Sequence, residues 1–285
     1  TETGLPFHDE AAKIDDTYLT GKIAYRGGHP FIDHFRFVQD LEDEKCVAKL
    51  TIPAPAQFFE QFAMPFNLEA TRRYYKTDEE LANDIVAAYR AFIADVYAAG
   101  CRNLQFDDCS WGMVVDPHAE QFFGVDAAGL ERVKEALLDV NNRALEGRPA
   151  DLTVNTHVCR GNFHSTWACE GGYDEVADFL LARENVVAFF LEFDDARSGG
   201  FEPLAKVPAG KKVVLGLVTT KSAALEDPAA VVARIHEAEK YVPLESLCLS
   251  PQCGFASCEI GNKLTEDEQW AKVRLVREVA EQVWG

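Results

Sequence analysis

Long apolar runs are missing from this chain of 285 residues, and the longest, such as Val186–Leu191, have the length of a β-strand. With no stretch of about 18 apolar residues, a membrane-spanning helix is excluded. The chain also does not begin with a positively charged segment followed by an apolar one, the mark of a secretory signal. Basic residues are scarce: 28 Lys and Arg stand against 47 Asp and Glu, a formal net charge of −19. Such a surface repels phosphate backbones, so nucleic acid is not the expected partner. Low-complexity linkers are absent, as are short repeats beyond an alternating strand–helix unit. The eight cysteines are diluted through an enzyme-sized chain rather than packed into a small one. A disulfide scaffold is therefore not expected, and a reduced, cytoplasmic setting is.

What is present is a strand–helix alternation. Val47–Pro53 reads as a strand closed by Pro53-Ala54-Pro55, and residues 54–76, aromatic and irregular, read as a loop over a site. A long helix follows over Asp78–Ala99, with Thr77 and Glu80 spaced as a capping box and Leu81, Ile85, Tyr89, Phe92, Ile93 and Val96 as its apolar stripe. Strands are then expected over Asn103–Asp108, Asp151–His157, Val186–Phe193, Lys212–Val218 and Ser246–Leu249. Helices are expected over Leu130–Leu145, Asp174–Arg183, Pro228–Tyr241 and Thr265–Val283. In residues 1–45, otherwise irregular, Phe31, Phe35 and Val38 have helical spacing.

This alternation predicts a parallel sheet with crossover helices, and so either an open doubly wound sheet or a closed (β/α)8 TIM barrel. Polar residues gather at the carboxyl ends of several strands: Asp107, His157, Glu192, Thr219 and Cys253. A barrel brings such ends to one mouth, whereas an open sheet strings them along an edge, so the barrel is preferred. About six strands are visible, which leaves one or two hidden in the opening segment or lacking from this chain. A single catalytic barrel over residues 1–285 is the expected organisation.

Three strand ends carry the chemistry. Thr153–Val158 runs into Cys159-Arg160-Gly161, Val186–Leu191 into Glu192, and Leu247–Ser250 into Pro251-Gln252-Cys253-Gly254. Imidazole, two thiolates and a carboxylate make a borderline-soft donor set suited to Zn2+. Taken singly, each residue has a plainer reading: His157 and Cys159 as packing, Cys253 as a turn residue, Glu192 as half of an ion pair. Taken together, they point to a metal. Two thiolates and a carboxylate outweigh a zinc ion by one charge, which favours activating a thiol over activating water.

These segments resemble the catalytic C-terminal barrel of the cobalamin-independent methionine synthase family, in its short, single-barrel branch. Thr156–Cys159, Leu191-Glu192 and Ser250–Gly254 are similar to that family's zinc-binding elements, in the same order. Leu104–Asp108 resembles the segment whose first acid contacts the amino group of homocysteine. The resemblance implies a zinc-dependent methyltransferase acting on a small-molecule thiol. Zinc would be held by His157, Cys159, Glu192 and Cys253, with Asp107 on the substrate ammonium. The donor, methyltetrahydrofolate or a corrinoid, and assembly into a homo-oligomer are left open. The chain departs from the family in lacking its upstream Gly-Ser and Asp-Gly-Glu strand ends, in having Asp108 and Cys109 where Glu and Pro are usual, and in lacking the duplicated N-terminal barrel.

Further candidates are Asp108 as proton donor to a leaving amine, Lys221 for an anionic substrate group, and Trp111 as a stacking surface or a core residue. Asp194, Asp195 and Arg197 read as a solvated ion-pair network at the rim. His164 reads as a loop histidine, and Cys169 and Cys258 as weaker alternatives to Cys253. Rival functions are alkyl transfer to another thiol, hydrolysis by zinc-activated water on the same barrel, and a barrel with a purely structural zinc.

Overall fold

A computed structural model of the chain describes residues 5–12 and 17–285. Near the N-terminus, β1 (Leu5–Pro6) and β2 (Ala11–Ala12) form a small antiparallel hairpin, and α1 spans Pro30–Gln39. The principal sheet has six strands: β3 (Leu50–Pro53), β4 (Asn103–Asp108), β5 (Thr153–Val158), β6 (Ala188–Glu192), β7 (Lys212–Val218) and β8 (Leu247–Pro251). Each pairs in parallel with the next in sequence, so the spatial order is the chain order. That is the ordering of a TIM barrel, with six strands among the described residues instead of eight. Among the described residues of the opening segment no further strand joins this sheet, and the hairpin stands apart from it.

The sheet is curled. Strands lie about 4.8 Å apart, so β5 and β8, three places apart, would be separated by about 14 Å in a flat sheet. Yet the sulfurs of Cys159, just after β5, and Cys253, just after β8, are 3.9 Å apart. Lys49, just before β3, reaches across the bore to 4.3 Å from the ring centroid of Phe190 on β6.

Both faces of the strands are covered, which is why they read as nearly continuous apolar runs. The outer face packs against α2 (Pro55–Ala63), α4 (Asp78–Ala98), α7 (Ala127–Ala144), α8 (Pro228–Ala238) and α9 (Glu266–Trp284). Leu81, Ile85, Ile93 and Val96 of α4 are buried with Leu104 and Phe106 of β4, as the helical spacing predicts. The Tyr89 hydroxyl donates to the carbonyl of Pro53.

Three local expectations need correction. Residues 54–76 are not a loop: they hold α2 and α3 (Pro65–Thr71), each with proline in its first turn. Proline is tolerated there because that N–H has no helical partner, and the aromatics Phe59 and Phe62 are the buried face. The Thr77 side chain does cap α4 by accepting from Glu80 N, but Glu80 returns to Lys76 N rather than to Thr77. The reciprocal capping box stands at Thr265 and Glu268, opening α9. Residues 174–183 are helical as expected but wound as a 3-10 turn followed by a π turn.

Candidate metal centre and active site

Strand register decides which side chains face the bore. In a parallel pair, residues side by side point to the same face, and alternation carries that face along each strand. Asp107 lies beside His157, and His157 beside Phe190. Two residues on from Phe190 comes Glu192, and two on from His157 comes Cys159. These side chains share the inner face. Asp108, one residue from Asp107, faces outward.

One donor atom from each of His157, Cys159, Glu192 and Cys253 lies within 4.8 Å of the others. The sulfurs of Cys159 and Cys253, 3.9 Å apart, are well beyond a disulfide bond. Two thiolates on one tetrahedral zinc, with bonds of about 2.3 Å, would sit about 3.8 Å apart. His157 Nδ1 lies 3.1 Å from the carbonyl oxygen of Phe190 and donates to it. That leaves Nε2 as the ring atom turned to the cluster, buried without a hydrogen-bond partner and 3.9 Å from Glu192 Oε1. An imidazole oriented through its other nitrogen is the usual setting of a histidine ligand. The geometry and the donor chemistry both fit a soft divalent ion.

The loops around these donors are tightly constrained. Gly161, with φ of +88°, turns the chain after Cys159, and a Cβ there would meet Ala168 at 2.8 Å. Gly216 on β7 lies beside Glu192, and a Cβ there would come within 2.8 Å of the carbonyl of Leu191.

Charge in the cluster is uneven. The hydrogen bond with Cys159, together with His157 and Lys221, holds the Cys253 thiol far below its usual range despite burial. Cys159 is pushed up by its hydrogen bonds to Cys109 and Cys253 and by burial. Burial lowers His157, but the charges of Cys253, Asp107 and Glu192 prevail and hold it at about 9. Burial raises Glu192 and Asp107 against the pull of nearby cations.

Glu192 is gripped from both sides. Its Oε1 accepts from Arg160 N at 3.1 Å and its Oε2 from Arg197 Nη2 at 2.9 Å. The Arg197 side chain is only 5% exposed, is bonded also to Asp194 and Asp195, and lies over the Trp167 ring. The ion-pair network of Asp194, Asp195 and Arg197 read from the sequence is therefore there, but Arg197 and Asp194 are buried rather than solvated, and Arg197 also clamps a candidate ligand. Nothing in the spacing of Glu192 and Arg197 announces this, because the contact depends on how the loop after β6 folds back.

Of the remaining candidates, Asp107 is at the centre, with Oδ1 buried and unpartnered. Lys221 reaches Asn162 Oδ1 at 3.3 Å, at the edge of the cluster. Asp108 is not there: fully buried on the outer face, it accepts from Ser110 N and from Asn141 Nδ2. Trp111 is fully buried in the core, with no face free for stacking on a ligand. His164 pairs with Glu10 of the N-terminal hairpin segment, 3.0 Å away. Cys169 is buried outside the cluster and pushed up to about 12 by that burial. One neighbour was not anticipated: Cys109 joins Asp107 and Cys159 in a second group of possible metal donors.

Fold and centre together define a TIM-barrel-like protein with a thiolate-rich metal-binding cluster at the mouth of its sheet. Residues 69–282 match the family described as "Cobalamin-independent synthase, Catalytic domain". The chain belongs to that family. It is 42% identical over 282 residues to the uncharacterized protein YxjH of Bacillus subtilis (strain 168), covering 99% of this chain and 73% of the relative. A crystal structure from Listeria monocytogenes, of a protein assigned as a vitamin-B12 independent methionine synthase, superposes with a TM-score of 0.73 at 34% identity. That match covers 94% of this chain and 73% of the other. A B12-independent methionine synthase from Shewanella sp. W3-18-1, in complex with selenomethionine, shares the fold at a TM-score of 0.63 and 19% identity, covering 90% of this chain and 67% of that one. Family and centre support a methyltransferase-like enzyme acting on small molecules. Among the described residues no helix is long and apolar enough to cross a membrane.

Proposed function

We propose that the protein is a zinc-dependent thiol methyltransferase that methylates homocysteine to methionine, with methyltetrahydrofolate as donor. The observation that carries this reading is the meeting of two thiol sulfurs at 3.9 Å with an oriented imidazole and a clamped carboxylate. A zinc ion held by His157, Cys159, Glu192 and Cys253 would supply one thing, the ionisation of an acceptor thiol near neutral pH.

The chain's own groups would do the rest. Asp107, partly buried at the bore mouth, would hold the acceptor's ammonium, and Lys221 its carboxylate. Arg197 would keep Glu192 oriented. The acceptor sulfur forms its bond to the methyl carbon as the bond from that carbon to the donor nitrogen breaks, and the leaving nitrogen takes up a proton. Asp108, on the far side of β4, is not assigned that proton.

The test is metal analysis of protein purified without chelators, followed by methyl transfer to homocysteine from methyltetrahydrofolate or methylcobalamin. Zinc in the protein, methionine formed only with homocysteine present, and loss of product in Cys253→Ala are the expected results. Turnover of the donor that continues unchanged without any thiol would instead indicate hydrolysis and sink this reading.

A further inference from the structure

Six ionisable donors crowd the mouth of the sheet, more than one divalent ion needs. Beyond the four already described, Asp107 and Cys109 each bring a donor atom within 4.8 Å of Cys159 and of each other. Cys159 thus belongs to two sets of donors. Cys109 is placed by the chain leaving β4: it precedes the short helix α5 (Ser110–Val114) in an αR conformation, and its N–H donates to Gln57 Oε1. Asp107 Oδ1 is buried with no hydrogen-bond partner, an expensive arrangement unless something positive faces it.

We propose a second soft-cation position, formed by Asp107, Cys109 and Cys159, in which the Cys159 sulfur bridges two ions. A thiolate has lone pairs enough for two bonds, and Asp with two Cys is a donor set that suits zinc or cadmium over magnesium or calcium. Three protein donors also leave a coordination position open. The charges agree. With Cys109, Cys159 and Cys253 as thiolates and Asp107 and Glu192 as carboxylates, the mouth carries five negative charges. One divalent ion leaves three, and two leave one, set against the buried guanidinium of Arg197 that touches Glu192.

One consequence rests on the function proposed above. The second ion takes the carboxylate that would hold the acceptor's ammonium, so excess zinc competes with homocysteine at Asp107.

The experiment is zinc loading of metal-free protein under a phosphine reductant, with bound zinc counted after gel filtration, in the wild type and in Cys109→Ser. Two ions per chain in the wild type and one in Cys109→Ser are expected. One ion in the wild type, or equal numbers in the two proteins, overturns the second position and leaves the first intact. No bound zinc in either overturns both. Should Cys109→Ser fold poorly, cadmium NMR of the wild type decides: two resonances coupled through a shared sulfur support the bridge, and a single resonance overturns it.

Discussion

Arg197 and Asp108 show how far a residue's neighbours can depart from its neighbourhood in sequence. Arg197 spends its guanidinium on three carboxylates, and one of them, Glu192, is a candidate ligand. Groups that orient ligands typically govern metal affinity by 10- to 100-fold. Arg197→Met should therefore weaken zinc binding by about 10-fold or more, measured by competition with a chromophoric chelator. Arg197→Lys should fall between, since lysine keeps the charge but not the planar fork. Asp107 and Asp108 make a second pair to compare. Asp107→Asn should raise the KM for the thiol acceptor, while Asp108→Asn should leave the acceptor KM near wild type and lower the unfolding temperature. Steady-state kinetics beside thermal unfolding would check this, and the reverse pattern would refute the assignment of faces. That distinction was available in the sequence, because alternation along Asn103–Asp108 allows only one of the two acids into the bore. Cys109 was not available in the same way: it lies past the strand end, where no periodicity applies.

At the scale of elements, the outer face of β4 carries an unusual load. Asp108, Glu60 of α2 and Glu184, in the stretch leading to β6, are all buried, and Asn141 of α7 bonds Asp108, Glu184 and the first turn of α2 through Ala56 N. Burial pushes Glu60 from 4.5 up to about 8, and Asp108 from 3.8 up to about 6. The sign follows from the direction. A carboxyl whose affinity for protons rises on folding favours the fold fully below its unfolded value, and that contribution is lost as pH climbs through the folded value. Glu60→Gln, permanently neutral, should gain stability relative to wild type as pH rises from about 4.5 to about 8, with no further gain above. At about 1.4 kcal/mol for each tenfold change in proton affinity, the gain is on the order of a few kcal/mol. Thermal unfolding of both proteins across that range would show it, and parallel curves would exclude it. Helices α2 and α3 illustrate what a linear reading misses: their prolines look like terminators until the packing shows them sitting in first turns.

For the whole molecule, the metal centre would be a fastening. Its donors come from the ends of β5, β6 and β8, so an ion there ties together strands that nothing joins covalently, since all eight cysteines are free. An ion that binds the folded chain alone stabilises it according to its concentration over its dissociation constant, about 4 kcal/mol at a thousandfold excess. Chelation should lower the unfolding temperature by several degrees, and added zinc should restore it, as followed by calorimetry. In Cys253→Ala most of that difference should vanish. A chelator-insensitive wild type would count against the centre.

Residues in order along the chain determined the strand–helix alternation, the parallel sheet and which residue types stand at its carboxyl ends, because these follow from local periodicity and turn chemistry. His157, Cys159, Glu192 and Cys253 could be picked out on those grounds. Only tertiary structure decided that their donor atoms meet, since that needs a sheet curled enough to bring β8 back over β5. It also decided that Arg197 grips Glu192, that Asp108 turns away and that Cys109 draws near. Those contacts join positions whose distances are set by packing, which no spacing along the chain encodes.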